Sequence, residues 1–551
     1  MRYIWDLLED ETYKCMYISL FSLAAIGLNG EPHEEKPTPP YMIGYDIGTT
    51  GVKCGIIGLD GRLVSSAIVE YLTYSPQAGW VIQNPEDWWQ AMVKATQIAM
   101  KKGDVKPEDI EAVACDGQAG GILVVDKNRK PSTYMLYADT RGLDQLEWFK
   151  HRLLEKGLDT QQYFKRTGLR WHTHWSISKI LWIKEKQPNI WTRVHMILDC
   201  KDYLTFKLTS TFSTDYANAH TTMLFDVEKL EWMHEVFDLL DLSTDLFPRV
   251  YSPTDCVGEI TSGAARRLGL KKGTAVAAGT VDAIATFAGA NAFEPDVGVA
   301  YVGGGGAWVG RVSEYPVLDP EVTGGTCIPH IVRGRWCIIP VSIMAGANLK
   351  WFKEEFCAPE VSVESYGGGN AYQILDCEAE QSPPGSRGLI FLPYTAGADY
   401  PYWDPKATGA FVGITLANKR SDFIRSIMEG VAYSLKHTAE TKGMEEHRIL
   451  RFAGGGFKSS CWRQIASDIL GMQGEIIEHP GDVAGIGSAI CASVAKGFYR
   501  NATDAANRMV KIVGVQKPRE EYHEKYLTFY QLYKKCYFQL KEIMHVLADI
   551  K

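Results

Sequence analysis

The stretch GYDIGTTGVKCGIIGLDGRLV, residues 44–64, sets one acid, two glycines and two threonines between apolar runs. Met42–Ile47 reads as a strand and Val52–Ile57 as a second. Asp60-Gly61 supplies the positive-φ positions of a tight turn, and Leu63–Val69 makes a third strand. Gly48-Thr49-Thr50-Gly51 is therefore itself a hairpin turn, but its composition suits a polyanion. Glycine lets backbone N–H groups approach closely, and hydroxyls add donors without bulk. Asp46, at a strand end, would need a cation to sit beside a phosphate. Taken alone, the stretch is a plain β-hairpin; the rest of the chain changes that reading.

At 551 residues the chain is too long for one core, so two or three domains are expected. The formal net charge of −8 comes without a long basic stripe, which argues against nucleic acid as a partner. KNRK at 127–130 is a lone surface turn. None of the twelve cysteines falls in a C-x-x-C pair, so no zinc site or disulfide framework is signalled. Reduced, mostly buried thiols in a cytoplasmic protein are the expectation. The apolar run 15–28 is too short to span a bilayer comfortably, and acids (Glu9, Asp10, Glu11) precede it where a signal peptide is basic. NGEPHEEKPTPP (29–40) reads as a linker, so residues 1–40 form a disordered extension and no membrane span is expected.

Further along, NPEDWWQAM (84–92) starts a helix, with Asn84 as cap, Pro85 at the first position and Trp88 and Trp89 as packing residues. Residues 110–126 give two buried strands around a polar loop, 175–188 an amphipathic helix, and 273–290 a strand, a turn and a small-residue helix. Near residue 290 the pattern restarts, for 296–312 is again strand, glycine turn, strand. A long helix (421–440), a strand–glycine loop–helix unit (449–471), a small-residue helix suited to close helix contact (481–497) and a terminal helix (520–550) follow. The repeat implies two similar α/β domains with a ligand between them.

Three glycine turns follow strands: 48–51, 303–306 and 454–456. None fits the Walker pattern, and GGGFKS lacks the ribose acid of a dinucleotide fingerprint. One such turn is weak evidence. Three in repeating halves, with Asp46 at one and Asp282 opening a helix, suit a nucleotide: two turns grip phosphates and the third flanks the base. From pattern alone Asp282 reads first as an ordinary N-terminal helix acid and only second as a general base.

Four segments resemble the FGGY family of carbohydrate kinases, within the actin-like, Hsp70-like and sugar kinase superfamily. YDIGTTGVK resembles its first phosphate loop, and SISKILWIKE (176–185) its first signature, with Ser176, Lys179 and Trp182 in place. GAFVGITLANKRSDFIRSIMEG (409–430) resembles the second signature, including Gly409, Gly413, Asp422 and Glu429. AGGGFKSSCWRQIASDILG (453–471) resembles the adenosine loop and helix. The resemblance implies two RNase H-like, actin-like ATPase domains with a cleft between them: a sugar- and phosphate-binding domain at 41–290 and a nucleotide-binding domain at 291–551. It implies phosphorylation of a hydroxyl on a small ketose or polyol, xylulose-like first, with ATP and Mg2+. Asp282 falls at the catalytic base and Asp46 at the magnesium, held through water. Gly48, Thr49, Thr50, Gly303 and Gly304 fall around the phosphates, and Gly454, Gly455, Gly456 and Ser459 at the adenosine. A homodimer is left open.

Two departures bear on the substrate and the nucleotide. Where xylulokinases carry Met-His after Gly-Gln, GQAGG has Ala119 and Gly120, and Ala283 replaces the polar residue expected after the catalytic acid. Gln118, Asp139 in ADTRG, and His174 are the candidates to read the sugar instead, His174 equally readable as a packing residue. The second turn, Gly303-Gly304-Gly305-Gly306, lacks the family's hydroxyl, which removes one phosphate donor. These changes also suit a second reading, a non-catalytic sugar or nucleotide sensor with the same fold.

Overall fold

The computed structural model describes residues 37–340, 342–366, 370–440 and 449–550. The apolar run 15–28 and most of the linker 29–40 lie outside the described residues.

The opening stretch forms the expected meander of β1 (Tyr41–Ile47), β2 (Gly51–Gly58) and β3 (Leu63–Glu70). Ile47 faces Val52 across the first turn, which Gly48 N closes on the Gly51 carbonyl at 3.0 Å. α1 (Pro85–Gly103) begins where Asn84 accepts a bond from Glu86 N, and it buries Trp88 and Trp89 against the sheet. The chain then returns as β4 (Ile110–Gly117), parallel to β1. After α2 (Ser176–Lys186) and α3 (Cys200–Thr209) come β5 (Cys256–Glu259), β6 (Ala275–Ala277), β7 (Thr280–Val281) and α4 (Asp282–Gly289). The seven-stranded sheet runs β5-β6-β4-β1-β2-β3, with β7 also paired to β4. Registers set Asp46 beside Asp116, and Asp116 beside Thr280. Three polar residues thus share the carboxyl ends of adjacent parallel strands, where open α/β sheets bind ligands.

The second half repeats the plan. β8 (Val297–Val302) and β9 (Gly306–Ser313) form a hairpin closed by Gly303 N on the Gly306 carbonyl, at 2.9 Å. β10 (Cys327–Pro329), β11 (Trp336–Ile338) and β12 (Ser342–Ile343) extend it, and α5 (Gly346–Phe356), α6 (Ala371–Glu380) and α7 (Arg420–Ala439) follow. β13 (Ile449–Ala453) lies parallel to β8 as β4 does to β1, and leads into α8 (Ser460–Leu470) and β14 (Gly474–Ile477). α9 (Val483–Ala495), β15 (Ile512–Gln516) and α10 (Glu520–Ile550) complete the chain. The eight-stranded sheet runs β10-β11-β9-β8-β13-β14-β15, with β12 on β9.

α9 belongs to the second half by sequence but packs on the first, against α4, β1 and β4. The approach is close enough to demand glycine. A Cβ on Gly44 would lie 1.9 Å from the Gly485 carbonyl oxygen, one on Gly289 1.8 Å from that of Val483, and one on Gly487 1.9 Å from that of Ala285. One continuous apolar cluster therefore joins Met42 and Ala112 to Phe287, Ile486 and Ile490.

The signature acids turn out to be structural. Glu429 accepts from Gly385 N (3.0 Å), Arg425 Nε (2.8 Å) and the Tyr526 phenol (2.7 Å), anchoring α10 to α7. Asp422 accepts from Ser382 Oγ at 2.6 Å and Lys419 N at 2.8 Å. Cys54, Cys115, Cys200, Cys327, Cys337, Cys461 and Cys491 are buried free thiols. Among the described residues no helix is long and apolar enough to cross a membrane.

Candidate active site

Asp282 opens α4 directly after β7, and the segment before it is tightly held. Gly279 has φ +69°, and a Cβ there would meet the Cys115 carbonyl oxygen at 1.9 Å, so only glycine lets β6 and β7 both pair with β4. Thr280 Oγ1 donates to Asp215 Oδ2 at 2.9 Å. Lys201, buried, pairs with Asp215 at 2.9 Å and Asp202 at 2.7 Å and donates to the Ala278 carbonyl at 3.2 Å. Asp282 itself accepts from Ala283 N at 2.6 Å. Burial first, then the charges of Asp46 and Asp199, push its carboxyl up to about 7, the range of a working general base.

Asp46 and Asp116 lie against each other at the ends of β1 and β4. Burial raises the Asp46 carboxyl above the usual range, against the pull of Lys53. Burial and the Asp46 charge hold Asp116 well above it. Ser488 Oγ on α9 donates to Asp116 Oδ2 at 2.6 Å, while Asp116 Oδ1 has no donor among the described residues although the side chain is 0% exposed. Lys53 bridges to the turn before α9, reaching Asp482 at 2.7 Å and the Gly481 carbonyl at 2.6 Å.

The first glycine turn adjoins this cluster, a Cβ on Gly48 lying 3.9 Å from Asp46 Oδ1. In the first, the Thr49 side chain hydrogen-bonds the Tyr137 phenol, and Gln83 Nε2 donates to the Thr49 carbonyl at 2.7 Å. The Gly48 carbonyl accepts from Tyr71 Oη. In the second, Gly346 N, Ala347 N and Met344 N take the carbonyls of Gly303, Gly304 and Gly305 at 2.8–2.9 Å, so the start of α5 holds the turn from behind. In the third, Gly454 has φ +96° and a Cβ there would lie 2.4 Å from the Val302 carbonyl oxygen, while Gly455 opens on free space. Ser459 caps α8 through Trp462 N at 2.9 Å and donates to Asp376 Oδ1 at 2.8 Å, so its hydroxyl is already engaged.

The sugar candidates divide. Gln118 donates to Gln83 Oε1 at 3.0 Å, and its own Oε1 is buried without a partner among the described residues. His174 is half-buried and fills the hollow left at Gly120: a Cβ there would lie 2.6 Å from the His174 carbonyl oxygen and 3.1 Å from Cδ2. Its ring packs on Tyr137 (4.9 Å) and Trp175 (4.6 Å), and burial, with His172 and Lys179 nearby, keeps it neutral. Lys179 of the first signature fixes this loop by donating to the carbonyls of Thr173 (2.7 Å) and His174 (3.0 Å). Asp139 is turned inward. It holds Arg141 through both oxygens (2.8 and 2.6 Å) and accepts from Val81 N at 2.8 Å, while Arg141 stacks over Trp80. Its place is that of a brace behind the wall rather than of a free carboxylate in the cleft.

Asp116, Tyr137, Lys53 and Ser488 join this candidate site without having been singled out by the sequence. For Asp116 a signal existed: like Asp46, it is an acid just after a buried apolar run and close before glycine.

Residues 41–289 match the N-terminal domain of the FGGY family of carbohydrate kinases, and residues 299–496 match its C-terminal domain. The chain belongs to the FGGY family of carbohydrate kinases. It is 27% identical over 516 residues to a xylulose kinase of Bacillus subtilis (strain 168), covering 93% of this chain and 99% of that relative. To a gluconokinase of the same strain it is 27% identical over 497 residues, covering 90% and 94%. Its fold is similar to that of a ligand-bound xylulose kinase from Lactobacillus acidophilus (TM-score 0.77, 23% identity, 91% and 98% covered). It is also similar to a gluconate kinase from that organism (TM-score 0.76, 23% identity, 91% and 98% covered). This FGGY kinase is thus a two-domain α/β phosphotransferase that uses ATP to phosphorylate a sugar, and the sensor reading gives way to an enzyme.

Proposed function

We propose that Asp282 is the general base of the transfer and that the acceptor is a small uncharged ketose or polyol, xylulose-like. The observation that carries this is a half-buried carboxyl, poised at about 7, on a segment fixed by Thr280, Asp215 and Lys201. Asp282 takes the proton of the acceptor hydroxyl as its oxygen attacks the γ-phosphorus; the bond from phosphorus to the ADP oxygen breaks as the new one forms. Thr49, Thr50 and the Gly304 amide bind and orient the phosphates at turns that the Gly48 and Gly303 amides close, and Gly454, Gly455 and Gly456 flank the nucleoside.

The residues present fit a divalent cation, because the orphaned Asp116 Oδ1 lies buried against the Asp46 carboxylate. Asp46 and Asp116 would hold magnesium, Asp46 through water. When bound, the metal would offset negative charge on the phosphates.

An uncharged acceptor is favoured because the cations near the sugar candidates are committed. Lys179 serves backbone carbonyls, Arg141 pairs with Asp139, and Arg170 stacks over Trp403 at 4.3 Å. Gln118 Oε1 and the neutral His174 are suited to hydroxyls. The relatives' names span both an uncharged sugar and a sugar acid, so the deciding experiment is an ADP-release assay over xylulose, other ketoses, polyols and gluconate. Turnover of gluconate above every uncharged sugar would overturn this assignment. We place the domain division near residue 290, with α9 crossing back to the first domain. The buried free thiols support a reducing, cytoplasmic setting.

A further inference from the structure

The second glycine turn has four glycines and no hydroxyl, yet a hydroxyl lies against it. Tyr301 stands on β8, two residues before the turn. A Cβ on Gly303 would lie 2.4 Å from Tyr301 Oη, 2.5 Å from Cε1 and 2.7 Å from Cζ. The end of the phenol therefore occupies the space that a side chain at 303 would need. On its other edge, a Cβ on Gly454 would lie 3.1 Å from Tyr301 Cε2. The ring is wedged between the second and third glycine turns.

Its orientation is fixed by stacking. Tyr301 lies on Trp308 at 5.0 Å and 16°, and Trp308 lies on Phe287 at 5.4 Å and 8°. Phe287 belongs to α4, the helix that Asp282 opens, so this stack joins the second half's phosphate turn to the helix of the base. Burial, then the charges of Asp282, Asp46 and Asp116, hold the phenol protonated. A phenol that keeps its proton, wedged at the edge of two glycine turns, can donate a hydrogen bond to an anion.

We infer that Tyr301 Oη donates to the γ-phosphate of the nucleoside triphosphate, standing in for the hydroxyl that the second glycine turn lacks. The assignment rests on the nucleotide cleft described above and adds a binding residue to it. A donor there would add to the set that stabilises charge on the transferring group.

The test is calorimetric and needs no acceptor sugar. Tyr301→Phe keeps the ring, its stack and the space at Gly303, and removes only the donor. Wild type and variant are titrated with ADP and with a non-hydrolysable ATP analogue, each with magnesium. Affinity for the analogue should fall roughly 10- to 150-fold, as for loss of a hydrogen bond to a charged group, with ADP affinity changed less than about twofold. Gly304 opens on free space, so Gly304→Thr in the Tyr301→Phe background returns a hydroxyl to the turn and should recover part of the analogue affinity. Unchanged analogue affinity in Tyr301→Phe, or equal losses for both nucleotides, would overturn the assignment. A wild-type protein that bound neither nucleotide would overturn the cleft itself.

Discussion

Replacing Asp282 with asparagine removes a proton acceptor while leaving an oxygen for the 2.6 Å bond from Ala283 N. Turnover should fall roughly 10²–10⁴-fold, the usual worth of a positioned base. The structure adds a second, opposite effect. The Asp282 carboxyl rises from an ordinary 3.8 to about 7 on folding, through burial first and the Asp46 charge next. A carboxyl raised in this way binds its proton more tightly in the folded than in the unfolded chain. Below pH 3.8 it is protonated in both states and contributes nothing. As pH rises to about 7 the unfolded chain ionises first, and the fold loses up to about 4 kcal/mol. Asparagine carries no such penalty. At pH 8 Asp282→Asn should therefore melt several degrees above the wild type, a gap that closes on acidification towards pH 4. Wild-type turnover should drop roughly tenfold per pH unit below the Asp282 midpoint, and the residual activity of the variant should lack that limb. Thermal melts at pH 4, 6 and 8, with initial rates over the same range, measure both effects. Near-normal turnover of Asp282→Asn would refute the base; a lower melting temperature at pH 8 would refute the electrostatic argument.

Asp46→Asn should weaken magnesium binding, so raising magnesium should restore part of its rate, a rescue that Asp282→Asn should not show; rate against magnesium concentration for both variants decides it. His174→Ala should raise KM for the sugar about tenfold and leave KM for ATP unchanged, because the ring fills the wall at Gly120; equal changes in both constants would make it a packing residue. Gly44→Ala drives a methyl into the Gly485 carbonyl and should cost about 3 kcal/mol in urea unfolding by separating β1 from α9; an unchanged midpoint would contradict the contact.

The meander, the buried strand at 110–117 and the restart near residue 290 were legible in the sequence because their signals are local. Apolar alternation, Asp60-Gly61 and the Asn84 cap act within a few residues of themselves. The resemblance to the family rested likewise on short contiguous segments. What those segments do was less legible: Asp422, Glu429 and Lys179 serve the fold, and Asp139 and Ser459 spend their polar atoms on neighbouring protein groups.

Tertiary structure alone decided which of these residues stand side by side. Asp46 and Asp116 are far apart in sequence and meet because parallel pairing of β1 with β4 sets their register. His174 meets Gly120 because a missing side chain in one loop leaves room for a ring from another, and Ser488 reaches Asp116 because glycines let α9 pack closely on the first half. Such contacts depend on close packing between distant segments, and no local propensity encodes them. Sequence by itself determined the kind of protein and its glycine turns; packing determined where the acids, the imidazole and the phenol came to stand.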